Sequence, residues 1–474
     1  MALRCCRSRC CRSRCVLICV CTPCLSVALM FVYVSVRLNM IMKDGSLLRT
    51  TPAPAPAPKH IHFVATGTSR DGNFAAVPHH FWRNPSSAIW NQLQLAVDYH
   101  FNPVLNPIRA KDASERTSFG DSLLNQSFSE VTMTGRDRNI FEQLPEHLQE
   151  YVTYMKSRSY PTLIQPHGLC GAQAEDETEP PLILFAIKTT ASNYENRQAI
   201  RKSWGQVGWV GGQKSNSSGG EAYGGYVRRV FLLGQETTED LRGDVSDLLR
   251  VESQHHGDIL HWDFKDTFFN LTLKDVLFWR WFSRHCDSHF VFKGDDDVFV
   301  NTPKLVGYLH DLLQEPDAHN TMRDFMIGHV IEAAVPSRVR TSKYFIPDHF
   351  YKGLYPLYLG GGGVVYSGLL AKRLHDVSKT VHLFPIDDVY VGMCMFRLDA
   401  FPVHHPAFLT FDFSQEEAAE PCSYHTIFLV HKRSPKQMAD LWADLKNTST
   451  QCGHVSLRTD PKTLEGEKRK NFKV

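Results

Sequence analysis

The chain lacks a surplus of either charge: 52 lysines and arginines against 50 acidic residues leave +2 over 474 residues. No extended basic face is present to hold a polyanion, which argues against a nucleic-acid partner. Charge is missing altogether from Val16–Val36 (VLICVCTPCLSVALMFVYVSV), a run of 21 residues. That is enough for a helix to cross a hydrocarbon core of about 30 Å. Arg4, Arg7, Arg9, Arg12 and Arg14 precede the run, and only Arg37 and Lys43 follow closely. This bias predicts a cytosolic tail over 1–15, a signal-anchor over 16–36 and a luminal remainder, the topology of a single-pass type II membrane protein. A cleaved signal peptide is the competing reading, but the run is longer than a usual leader and no A-x-A site closes it.

Cysteine is scarce where disulfides would form. Eight of the 13 lie in or before the apolar run; only Cys170, Cys286, Cys394, Cys422 and Cys452 lie beyond it. The repeat RCCRSRCCRSRC suits palmitoylation beside a membrane, or is simply a basic low-complexity tail. An odd count in an oxidising compartment predicts two bridges and one buried thiol, with the pairing open. Sequons at Asn125, Asn216, Asn270 and Asn447 all follow the anchor, consistent with a secretory-pathway resident; Asn125, Asn216 and Asn447 are the glycosylation candidates.

Residues 37–179 read as a luminal stem. They contain a Pro/Ala-rich spacer at 50–60 and helical patterns such as SSAIWNQLQLAVDYHF and LPEHLQEYVTYMKS, with too few strand signals for a sheet. From Pro180 to Cys452 strand-like and helix-like runs alternate, which predicts an α/β domain with a mostly parallel sheet and ligands beyond the carboxyl ends of its strands. The charged tail, 453–474, is expected to be disordered.

One such strand end is VFKGDDDVFVN, Val291–Asn301. Two carboxylates two residues apart can face one cleft, and a hard divalent ion that also carries a diphosphate needs few protein ligands. An acidic surface turn is the plain alternative, but apolar residues bury both flanks. A calcium loop of EF-hand type is disfavoured because the twelfth position from Asp295 is Val306.

LILFAIKTT, NRQAIRKSWG, DTFFNLTLKDVLF, FVFKGDDDVFVN, YLGGGGVVYSG and FPIDDVYVGMC follow one another in that order. Together they closely resemble the β-1,3-glycosyltransferases of glycosyltransferase family 31, over about Pro180–Cys452 and more weakly in the stem. The resemblance implies a GT-A (Rossmann-like) fold and a Golgi enzyme. It also implies inverting transfer of N-acetylglucosamine from UDP-N-acetylglucosamine to the 3-hydroxyl of terminal galactose on N-acetyllactosamine-type glycans, assisted by Mn2+ or a similar ion. The implied partners are the donor, galactose-terminated acceptors, the Golgi membrane and other glycosyltransferases in homo- or hetero-oligomers.

By the same resemblance Asp295 and Asp297 hold the metal, with His431 either a further ligand or a structural histidine, and Asp296 faces the donor sugar or ribose. Asp388 is the base, and Asp387 orients acceptor hydroxyls. The alternative for either carboxylate is to cap the helix that follows. Lys188, Arg197, Arg201, Asp266, Asn270 and Lys274 are donor-site candidates, although the two arginines suit salt bridges on a solvated helix equally well. Tyr358, Gly361 and Gly362 belong to the acceptor cleft, since glycines let backbone approach a sugar. Tyr366 is either another wall of that cleft or core. His329 in GHVI is a departure, since relatives carry an aspartate there. A β-1,3-galactosyltransferase, or a catalytically silent luminal carbohydrate-binding protein on the same fold, are the alternative functions.

Overall fold

Leu182–Ile187 are uninterruptedly apolar, with no alternation that would leave a face for water, and such a strand belongs inside a sheet covered on both sides. A computed structural model of the chain places it there. It describes residues 88–107, 109, 141–155, 157–166, 170, 180–213, 223–236 and 246–459, all within the second of two units into which the chain divides, Ile61–Val474. The expected cytosolic tail, anchor at 16–36, spacer at 50–60, and sequons at Asn125 and Asn216 lie outside the described residues. Among those described, no helix is long and apolar enough to cross a membrane.

The strands in chain order are β1 (Thr162–Ile164), β2 (Ile183–Lys188), β3 (Gly208–Gly211), β4 (Gly224–Gln235), β5 (Ile259–Lys265), β6 (Phe290–Asp295) and β7 (Phe299–Val300). They continue with β8 (Met326–Gly328), β9 (Val330–Ile331), β10 (Tyr358–Leu359), β11 (Gly363–Ser367), β12 (Val403–His404), β13 (Phe408–Leu409) and β14 (Leu429–Val430). Nine form one sheet in the order β1-β5-β4-β2-β6-β11-β8-β12, with β3 on β4. β5, β4, β2 and β6 run parallel, as expected. The rest makes the sheet mixed: β11 runs antiparallel to both β6 and β8. The glycine run enters β11 at the same end where β6 finishes, with Gly363 opposite Gly294, so β11 can only run back.

Side chains along a strand alternate between faces, and this divides the core in two. Leu184 and Ala186 of β2 and Val291 of β6 pack with the helices Leu271–His285, Gly368–Ser378 and Asp387–Arg397. Phe185, Ile187, Phe290 and Phe292 pack on the other face with Trp204, Leu305 and Met438. Lys188 and Lys293 continue the first series, so both point toward the face that carries the three helices.

The stem is part of this architecture. Trp90, in the helix Ile89–Phe101, is fully buried, donates from Nε1 to the carbonyls of His382 and Leu383, and meets Phe384 edge-on at 5.7 Å. Asp98 and Arg397 form a buried two-pronged ion pair, 2.6 Å at both contacts. Arg158 holds the carbonyls of Ser378 and Val381. The segment leading to Asp387 is thus positioned from the stem. β1, also from the stem, adds an edge strand against β5; three residues, two exposed and one half-buried, are too few to show a period.

Among the described residues two disulfides form, Cys170–Cys286 and Cys422–Cys452, and Cys394 is the buried thiol. Past Cys452 the chain stays docked, contrary to the expectation of disorder from 453. Lys304 Nζ donates to the carbonyls of Gly453 and Val455, and Arg458 pairs with Glu417 at 2.7 Å. Residues 460–474 lie outside the described residues.

Candidate active site

β6 ends at Asp295, and the turn after it carries Asp296 and Asp297. Asp297 is met from another part of the chain by His431, because β14 pairs antiparallel with β7 and puts Val430 opposite Phe299. Arg433 secures the junction: its N–H donates to the Asp297 carbonyl at 2.6 Å and its guanidinium to the His431 carbonyl at 3.0 Å. His431 Nε2 then stands 3.2 Å from Asp297 Oδ1. One ligand atom each from Asp295, Asp297 and His431 lie within 4.8 Å of one another.

Negative charge is in excess here. Burial raises the Asp295 carboxyl to about 6, with Asp387 and Asp297 adding to the rise and Lys188 opposing it. Burial works against protonated His431, yet Asp297 and Asp295 together raise its pKa. Two carboxylates and an imidazole gathered this closely are a donor set that could hold a divalent ion.

The Asp296 side chain turns away from this triad. It accepts hydrogen bonds from Thr189 Oγ1 and, at 2.9 Å, from Asn193 Nδ2, which fastens the loop after β2 to the acidic turn.

Asp387 and Asp388 open the helix Asp387–Arg397. The N-cap residue is Ile386, which has no capping side chain, and Asp387 in the first turn also accepts from the Asp388 backbone N–H. They have unequal surroundings. Burial disfavours a charged Asp387, but Lys188 and Lys293 outweigh it and hold the carboxyl down at about 2. Asp388 is raised to about 7, by burial first and by the charge of Asp387 second. One carboxyl of the pair is therefore held as an anion, and the other takes up a proton near neutrality, as a general base would need to.

Gly361 and Gly362 join the two halves. A Cβ on Gly361 would stand 2.6 Å from Asp388 Oδ2, and one on Gly362 would stand 3.0 Å from His431 Cβ. Consecutive residues thus lie against Asp388 and His431. Tyr358 is half-buried beside them, its phenol pushed up to about 12 by burial and then by Asp388 and Tyr344. Tyr366 is core instead: it is 1% exposed and accepts from Trp279 Nε1.

Most of the cations expected to meet a donor are committed elsewhere. Lys188 donates to Asp387 Oδ2 and lies 3.7 Å from Asp275. Lys274 pairs with Asp266 at 2.8 Å and donates to the Thr189 carbonyl, while Asp266 also accepts from Gly234 N–H. Arg197 binds Glu252 with two prongs and holds the carbonyls of Thr190 and Ala191. Arg201 binds Asp258 and Glu252. These side chains position the loops around the site rather than offering open charge to a diphosphate. Asn270 is half-buried, with Nδ2 donating to the Lys265 carbonyl at 2.9 Å. Asn447 is exposed at the end of the helix Pro435–Asn447.

Two residues of the charge network carry no signal in the motifs. Asp275 is fully buried, and Lys293 joins it at 3.0 Å while lying 3.9 Å from Asp388. A lysine inside the apolar run FVFKGD is the one hint, since a buried ammonium requires a partner.

Comparison with known proteins gives the family of the chain. A family model described as Galactosyltransferase matches residues 195–406. The chain is 41% identical over 375 residues to N-acetyllactosaminide beta-1,3-N-acetylglucosaminyltransferase 2 of Mus musculus, covering 78% of this chain and 88% of that protein. The Homo sapiens protein of the same name gives the same figures. UDP-GlcNAc:betaGal beta-1,3-N-acetylglucosaminyltransferase 9 of Homo sapiens is 43% identical over 318 residues, 63% of this chain and 73% of that protein.

Proposed function

From the premise that the chain belongs to the galactosyltransferase family of glycosyltransferase family 31, we propose that it transfers N-acetylglucosamine from UDP-N-acetylglucosamine, with inversion, to the 3-hydroxyl of terminal galactose. The observation that carries the chemistry is the position of Asp388, a carboxylate raised toward neutrality and only partly exposed, against the bare backbone of Gly361. The donor sugar is argued from the names of the relatives, which are N-acetylglucosaminyltransferases. They disfavour the galactosyltransferase alternative, and the complete acidic site disfavours a silent binding module.

In this mechanism Asp388 accepts the proton of the acceptor hydroxyl as that oxygen attacks the anomeric carbon from the side opposite the UDP. Asp387, kept anionic by Lys188 and Lys293, prevents Asp388 from losing its own proton affinity and orients the neighbouring hydroxyls. Asp295, Asp297 and His431 would hold Mn2+, which when bound offsets charge gathering on the departing diphosphate. Asp296, Thr189 and Asn193 hold the turn that presents those ligands. The glycines exclude side chains from the path between base and metal ligands, so the sugar can lie on backbone.

The apolar run at 16–36 with its flanking arginines supports a type II anchor in a secretory membrane, and the activity supports the Golgi as its location. The test of function is incubation of the purified protein with UDP-N-acetylglucosamine or UDP-galactose, Mn2+ and N-acetyllactosamine acceptors. A β-1,3-linked N-acetylglucosamine product is expected. Transfer of galactose alone, or glycan binding without transfer from any donor, would overturn the reading.

A further inference from the structure

A cleft of about 550 Å3 among the described residues lies apart from Asp295, Asp297, Asp387 and Asp388. It lies between the stem helix Glu146–Tyr154 and the ends of β4 and β5, and nothing in the mechanism above uses it. Its walls are aromatic: Tyr151 and Tyr154 from the stem, Tyr160, Phe264 and Phe269. Tyr154 is 61% exposed, a large ring left open to water on a helix whose other face is buried.

Its charge excludes one class of ligand. Among the described lining residues, Glu150, Glu236 and Asp263 face it against one lysine, Lys265, which itself lies 3.5 Å from Glu150. His147 has its pKa lowered by burial and is neutral at pH 7. A nucleoside diphosphate would meet net negative charge here, whereas a neutral polyhydroxylated ligand would find ring faces for its apolar sides and carboxylates and amides, such as Gln235 and Asn270, for its hydroxyls.

A track of rings runs from this cleft toward the base. His147 stacks on Phe269 at 4.7 Å and 17°. Phe269 meets Phe268 at 5.4 Å, and Phe268 meets Tyr344 at 5.5 Å. Lys343 lies over both Phe268 and Tyr344 and holds the loop that bears it. Tyr344 is close enough to Tyr358 to act on its phenol, as Asp388 does.

We propose that the stem-walled cleft is a distal acceptor subsite, taking the sugars that lie behind the reacting galactose of a linear, neutral oligosaccharide. This deepens the proposed function and rests on it. The stem helix then reads acceptor length while Asp388 acts on the terminal sugar. Binding energy gained far from the reacting bond favours long acceptors over short ones.

The experiment compares kcat/KM of the full-length protein for a single N-acetyllactosamine disaccharide and for a hexasaccharide of three such units, with UDP-N-acetylglucosamine saturating. The wild type is expected to prefer the hexasaccharide by about fivefold or more, the scale of one or two ring contacts. Tyr154→Ala and His147→Ala should each bring the ratio close to one, through KM of the long acceptor, with the melting temperature unchanged. Trp209→Ala, on the exposed side of β3, should leave the ratio as it was. A wild type indifferent to length, or a ratio that survives both substitutions, overturns the proposal. So does a rise in KM for UDP-N-acetylglucosamine shared by all acceptors, which would assign the cleft to the donor. Should no galactose acceptor be used at all, the proposed function fails separately. Calorimetric binding of the hexasaccharide to the wild type but not to Tyr154→Ala would then still support the subsite, and no binding to either would refute it.

Discussion

Gly361 and Asp388 are packed so closely that the glycine's missing Cβ would lie 2.6 Å from the carboxylate oxygen Oδ2. A Gly361→Ala substitution must therefore push the base aside, and misplacement of a reacting group by about 1 Å costs on the order of 10²-fold in turnover. The expectation is a loss of kcat of that size with UDP affinity retained, checked by steady-state kinetics beside calorimetric UDP binding. Turnover near the wild-type rate would show that Asp388 has no fixed position to lose.

Asp388→Asn should lower kcat by about 10³-fold, within the range for a general base. It should also stabilise the protein. The carboxyl of Asp388 is raised from 3.8 to about 7, so the folded state holds this proton more tightly than the unfolded chain does. The group then costs stability progressively as pH rises from the ordinary carboxylate range to about 7. Thermal denaturation should place the variant on the order of a few degrees above wild type at pH 8, with a smaller gap at pH 5. In the wild type, kcat/KM should fall as pH drops below about 7 and the base becomes protonated.

Lys188→Met removes the cation that Asp387 and Asp275 share. Leaving buried carboxylates without it costs about 3 kcal/mol or more, seen as a lower denaturant midpoint. Asp387 is held at about 2 in the folded state, so its pairing contributes stability above the ordinary carboxylate range that is lost as pH falls through about 2. The destabilisation by Lys188→Met should accordingly persist from pH 5 to pH 8. A variant as stable as wild type would show that the lysine pairs only weakly.

His431→Ala should raise the Mn2+ concentration for half-maximal activity by about tenfold or more, since even partners behind a metal ligand change affinity by that much. Asp297→Ala should act in the same direction and also weaken UDP binding in Mn2+. Mn2+ titration of activity and of UDP binding reads both. Unchanged Mn2+ dependence in both variants would remove the triad from the site.

Asp98→Ala leaves Arg397 buried without its partner, 2.6 Å away in the wild type. The expected loss is about 3 kcal/mol, again read from denaturant unfolding. A protein begun at Pro180 should not fold, because it lacks Trp90 and Asp98, which support the segment before Asp387. Such a truncated chain recovered folded and active would refute the stem's structural part.

The acidic strand end, the glycine run and the Asp387–Asp388 pair were legible because each is a local pattern: a strand periodicity that stops at charges, a stretch without side chains, carboxylates opening a helix. Local pattern left Lys188 and Lys274 as donor-site candidates and left Arg197 and Arg201 divided between the donor and salt bridges. Which charges meet is settled through space, and their partners lie on other elements: Asp387 for Lys188, Glu252 for Arg197, Asp258 for Arg201. The mixed sheet was hidden for a related reason, since strand direction depends on where the chain re-enters, and β11 re-enters at the glycines.

By itself, then, the sequence determined the element types, the apolar faces and the residues able to bear the chemistry, because these follow from period and composition. Only the tertiary structure gives Asp387 and Asp388 unequal proton affinities, the first held down at about 2 and the second raised to about 7. The two are adjacent in the chain and chemically identical, and what separates their proton affinities is burial together with two lysines brought in by β2 and β6.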